Sequence, residues 1–108
     1  MIIREWRGRA SSSRSAAYPA HFRKNVLPQL HLVSGFRGAH LGVRVMGERT
    51  EFLVLTRWDS MESVRSFAGD DVERAVVEPD AVAALLEFDA HVRHYEVLEE
   101  SVVSSPSA

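Results

Sequence analysis

Cysteine is absent from the 108 residues of this chain, which excludes disulfides, thiolate metal sites and cysteine nucleophiles together. Long apolar runs are missing too: no window approaches the roughly 20 residues that a membrane-crossing helix needs. Neither sign of charge is in excess. With 13 Lys and Arg against 15 Asp and Glu, the net charge of −2 gives no electrostatic case for nucleic acid or an anionic membrane surface. The opening MIIREWRGR has no apolar stretch of signal-peptide type, so the expected location is the cytoplasm. What is present is ordinary for a globular chain: 45% hydrophobic and 26% charged residues make disorder the wrong default. The length fits one domain, expected over 1–99, with a polar, mobile tail over 100–108.

The organising stretch is Glu51–Gly69. Glu51–Trp58 predicts a strand with apolar residues on both parities (Phe52, Leu53, Val54, Leu55, Trp58), which calls for cover on both faces. Asp59 or Ser60 then caps a helix that Gly69 ends. Upstream, Ile2–Ala10 predicts a strand with Ile2, Arg4, Trp6 and Gly8 on one side. From about Arg14 the spacing of Tyr18, Phe22, Val26, Leu30 and Val33 predicts a helix that Pro28 kinks or ends. Phe36–Met46 predicts a second strand, with Gly38 and Gly42 as bulge candidates, followed by a hairpin turn at Gly47-Glu48-Arg49. Val72, Ala75 and Val76 within Asp70–Val77 have helical spacing, and Pro79 opens a short helix through Ala84–Leu86. Phe88–Leu98 predicts the last strand, with Phe88, Val92 and His94 on one parity. The order β-α-β-β-α-β defines an α+β, ferredoxin-like antiparallel sheet.

The run GFRGAHLGVRV…TEFLVLTRWDSMESVRSFAGDDVERAVVEPDA…HVRHYEV resembles the antibiotic biosynthesis monooxygenase (ABM) family over Ile2 to about Leu98. Pro28…Gly35-Phe36-Arg37-Gly38, Leu55-Thr56-Arg57-Trp58-Asp59-Ser60 and His94-Tyr95-Glu96-Val97 carry most of the likeness. The resemblance implies a homodimer whose two sheets pack into an α/β barrel, with a pocket between sheet and helices in each subunit. It further implies oxidation of phenols to quinones by O₂, with neither metal nor flavin as cofactor. A haem-degrading branch uses an Asn, a Trp and a haem-ligating His, whose places here hold Trp6, Phe67 and Val77. The ligand is missing, so haem chemistry is not expected.

On these grounds the expected substrate is a small aromatic or phenolic molecule. His94, an imidazole on an apolar parity, is the candidate catalytic base; a core histidine bonded to backbone is the plainer reading. Trp6, Trp58, Tyr18 and Phe22 are candidate pocket walls, with core packing as their ordinary fate. His40 shares the parity of Phe36, Arg44 and Met46 and is expected to look inward, or else to sit at an interface or in solvent. Arg4 and Arg44 are candidate oxyanion ligands, against surface ion pairs. A metal site is not expected: His91 and His94, three apart on a strand, point to opposite faces, and HxH or HxxxH pairs are absent. An RNA-recognition module shares this element order but requires a basic, aromatic sheet surface that this chain lacks. A non-catalytic small-molecule binder fits the same pocket as an enzyme does.

Overall fold

Strand β1 (Ile2–Ser11) is the hub of the sheet. Its even-numbered residues Arg4, Trp6, Gly8 and Ala10 are buried, while the odd set, more charged, stays half-exposed. In the computed structural model, which describes residues 1–103, β1 pairs antiparallel along its whole length with β3 (Arg49–Trp58). β3 in turn pairs with β2 (Phe36–Met46). The other edge of β1 takes β4 (Glu87–Phe88) and β5 (Arg93–Glu96), giving the order β2-β3-β1-β4/β5. This is the antiparallel ferredoxin-like sheet read from the sequence, with helices on one face. The expected tail is described as far as Val103; 104–108 lie outside the described residues.

The first crossover is helical from Ala17 to Leu30 but not uniformly so. Helix α1 (Ala17–His21) passes through a π turn (Phe22–Val26) into α2 (Leu27–Leu30). Pro28 has no N–H to bond back one turn and its ring crowds the preceding turn. The chain widens there, and the Leu27 N–H reaches Phe22 O. The proline therefore distorts the helix without ending it.

Gly47 and Glu48 form a two-residue hairpin loop between Met46 and Arg49. Gly47 takes the positive φ (63°) that tight hairpin turns demand at their first position. Helix α3 (Met61–Ala68) is capped by Ser60, whose side chain accepts from the Ser63 N–H. Asp59 is instead paired with Arg37.

Three expectations need correcting. Asp70–Val77 is not helical. Its backbone bonds outward, Ala75 N–H to Ala90 O and Glu73 O from the Val92 N–H, and these long-range bonds override the local spacing. The last strand is interrupted: Trp6 and Arg7 of β1 lie opposite the four residues Asp89–Val92, between the pairs Gly8–Phe88 and Glu5–Arg93. Because two residues are added, the parity of Phe88, Val92 and His94 survives. Finally, a bulge between Phe36 and Gly38 flips the remainder of β2. Ala39 and Leu41 then share the helix side with Thr56 and Val54. His40 pairs with Leu55 on the other face and is exposed.

The core fills the space between sheet and helices in two clusters. One gathers Trp6, Tyr18, Phe22, Phe52, Val54 and Val92; the other holds Leu30, Trp58 and Val64. The opposite sheet face presents half-buried Leu53 and Leu55 beside exposed Tyr95, with charged neighbours in ion pairs such as Arg44–Glu51. No helix is long and apolar enough to cross a membrane among the described residues.

Candidate functional site

A cavity of about 70 Å³ opens within the first core cluster. The sheet contributes Arg4, Trp6, Val54 and Thr56 to its wall, all on the helix-facing parity, and Val92 joins them from the interruption before β5. The first crossover supplies Tyr18, His21, Phe22, Val26, Gln29 and Leu30, a single face of the α1–α2 segment. Phe67 of α3 and the stretch Val76–Glu78, with Ala81 of α4 (Pro79–Ala84), complete it. Residues 70–78 have no regular helix or long strand, so this is the least constrained part of the wall.

Arg4 is the dominant charge. It is buried, at 5% exposure, and donates to Val72 O (2.6 Å), Arg74 O (3.0 Å) and His94 Nε2 (2.9 Å). All three acceptors are neutral, and none of the ion pairs among the described residues involves Arg4. Its guanidinium lies 5.9 Å from the centre of the Phe67 ring. Burial lowers the Arg4 pKa to about 10, so the group keeps its charge at neutral pH. A desolvated cation that no carboxylate pairs has capacity to receive an anion, although Glu78 elsewhere in the wall carries the opposite charge.

His94 is half-buried on the same parity but stands behind Arg4, outside the cavity lining. Arg4 can only donate, so His94 Nε2 is the acceptor and the ring is neutral. Burial, then the Arg4 charge, holds its pKa below the usual histidine value, partly opposed by Glu73.

The expected aromatic walls divide. Trp6, Tyr18 and Phe22 line the cavity, with Trp6 and Tyr18 ring centres 5.6 Å apart. The Trp6 indole N–H is bound to Asp89 O at 2.8 Å, which fixes the ring and leaves its apolar surface toward the cavity. Burial pushes the Tyr18 phenol well above its ordinary pKa, so Tyr18 remains protonated. Trp58 does not reach the cavity. It is fully buried against Phe36 and Phe67, with its N–H on Thr56 Oγ1, and so supports the wall from behind. His40, on the opposite face of the sheet, is also absent from the lining, as is Arg44, which pairs with Glu51 in the exposed part of β2.

His21 was not legible in the sequence. It is 7% exposed, lines the cavity, and has an Nε2 with no hydrogen-bond partner among the described residues. The available signal was its place three residues after Tyr18 and four before Asn25, whose amide holds Nδ1 at 3.0 Å.

The fold is shared with several solved structures. A candidate antibiotic biosynthesis monooxygenase from Bacillus cereus aligns at a TM-score of 0.63, with 16% identity over 94% of this chain and 97% of that one. A variant of MhuD, solved with two manganese protoporphyrin IX molecules per active site, aligns at 0.61, with 17% identity over 95% and 100%. A monooxygenase from the gene ActVA-Orf6 of Streptomyces coelicolor, in complex with nanaomycin D, aligns at 0.59, with 13% identity over 96% and 92%. No protein-family model matches the chain, and no curated protein matches it by sequence. The chain is thus a ferredoxin-like α+β protein. Its fold is that of the antibiotic biosynthesis monooxygenases, as the resemblance in sequence led one to expect.

Val77, in the place the resemblance gives to the haem ligand, lines the cavity wall with an apolar side chain that has no ligating atom. Among the described residues no group of His, Asp and Glu is arranged to hold a metal ion.

Proposed function

We propose that the protein is a cofactor-independent monooxygenase acting on a small, electron-rich hydroxyaromatic. The observation that carries the reading is Arg4: a buried cation with no ion-pair partner among the described residues, facing a cavity walled by Trp6, Tyr18, Phe22 and Phe67, with Glu78 as the one carboxylate in its lining. The shared fold supports it. Such a site favours a phenolate or enolate over the neutral phenol. An anthrone-type substrate gives up a ring-methylene proton to solvent water as it binds, and the enolate held by Arg4 passes one electron to O₂. The resulting radical pair combines at that carbon, and the peroxide takes up a proton. Loss of water with the remaining C–H proton then leaves a quinone. One O₂ is consumed and one water formed per turnover, with no external reductant. Arg4 holds the oxyanion, and the apolar walls exclude water around the carbanion-like centre. His94, the base expected from sequence, has its Nε2 lone pair engaged by Arg4. The role we assign it is to position that guanidinium.

A ring-sized ligand needs more than about 70 Å³, so the reading requires the Val76–Glu78 wall to move outward. It also includes a homodimer, because Leu53 and Leu55, half-buried in the single chain, lie on the sheet face opposite the helices. The deciding experiment is oxygen uptake by the purified protein with anthrone and no added cofactor. Uptake that Arg4→Met abolishes supports the proposal. Saturable binding without uptake refutes it and leaves a non-catalytic binder, the reading favoured by the engaged His94 lone pair.

A further inference from the structure

Among the cavity-lining side chains, His21, itself 7% exposed, is the one with a fully buried polar atom that has no partner among the described residues. Burying a donor unpaired is unfavourable, and native interiors rarely leave one so. Nor is the ring loosely placed. The Asn25 side-chain nitrogen sits 3.0 Å from Nδ1, one helical turn on, and the Tyr18 ring packs 6.2 Å away. With the amide donating, Nδ1 accepts and Nε2 carries the ring proton. The imidazole is therefore oriented by one nitrogen and vacant at the other.

We propose that His21 Nε2 is the second polar contact of the cavity ligand, donating to an oxygen of an aromatic whose anionic oxygen is held by Arg4. This narrows the ligand class to rings with two separated oxygen functions, one acidic and one a neutral acceptor such as a hydroxyl or carbonyl. A ring carrying only the acidic group would leave Nε2 as orphaned as it is without ligand. The inference rests on the cavity being the ligand site, as argued above.

Two matched pairs of non-reacting probes test it by calorimetry on the full chain: benzoate against para-hydroxybenzoate, and 2-naphthoate against 6-hydroxy-2-naphthoate. The two ring lengths remove misfit as an explanation for a null result. In at least one pair the hydroxylated probe binds about tenfold tighter, the size of one net hydrogen bond. His21→Phe brings the ratio within each pair to about one, and His21→Gln, which keeps a side-chain donor, retains part of the preference. Arg4→Met weakens all four probes. Binding of the wild type without preference in either pair, or a preference that survives His21→Phe, overturns the role of His21 alone. Failure of the wild type to bind any probe overturns the cavity reading and this inference with it.

Discussion

Arg4 Nη1 lies 2.9 Å from His94 Nε2, joining the first strand to the last across 90 residues of sequence, with the cation as donor and a neutral imidazole as acceptor. The same guanidinium binds the carbonyls of Val72 and Arg74. One side chain thus ties β1, β5 and the irregular wall of the cavity together.

The pair makes stability depend on pH. Burial and the Arg4 charge hold folded His94 below the 6.5 of the free side chain, so the unfolded chain takes up its proton first. This contribution to stability is intact above about pH 6.5 and is lost as pH falls through the window between the two values. Urea melts at pH 7.5 and 5.5 should show a smaller acid loss in His94→Gln than in the wild type. Equal losses would mean that His94 does not titrate as the pairing requires.

Arg4→Met should loosen 72–77 before it unfolds the domain. Two carbonyls lose their donor, about 2 kcal/mol of local protection or roughly 30-fold in amide exchange. Mass-spectrometric exchange of a peptide covering this stretch reads the effect. Protection like that of the wild type would show that Arg4 does not hold the loop.

Gly8 bears on the cavity through Trp6. A Cβ at Gly8 would sit 2.8 Å from Trp6 Cη2 and 3.1 Å from Leu85 Cδ1. Gly8→Ala should therefore cost about 1–3 kcal/mol by overpacking and displace the indole. Near-ultraviolet circular dichroism reports the ring, and denaturant melts the cost. A variant with unchanged spectrum and midpoint would contradict the packing described.

Leu55 tests the dimer. It is half-buried in a single chain on the open face, opposite Glu5 in β1 and His40 in β2. Leu55→Asp should convert a dimer to monomer, at a cost of several kcal/mol of association if the residue is central to the interface. Light scattering at micromolar concentration gives the mass. A wild type that is already monomeric would end the proposal.

Periodicity was a good guide wherever one face of an element met the core without interruption. Arg4 and Trp6 on β1, and Tyr18 and Phe22 on the first helix, point where their spacing says. It failed wherever an uncounted residue intervened: the bulge at Arg37 sends His40 to the opposite face. Helical spacing over 70–77 failed for another reason. Arg4 and the backbone at Ala90 and Val92 claim its polar groups from a distance, and no local pattern records that.

The sequence by itself determined the element order, the ferredoxin-like sheet and the aromatic content of the space beneath it, because these follow from alternation, caps and turns within a few residues. Tertiary structure alone decided which polar groups meet that space. Among the described residues Arg4 has no ion-pair partner and His21 Nε2 no hydrogen-bond partner, whereas Trp58 and His94 are drawn behind the wall. Such outcomes depend on which distant groups satisfy each donor and acceptor, and the pairing is settled only when the chain closes on itself.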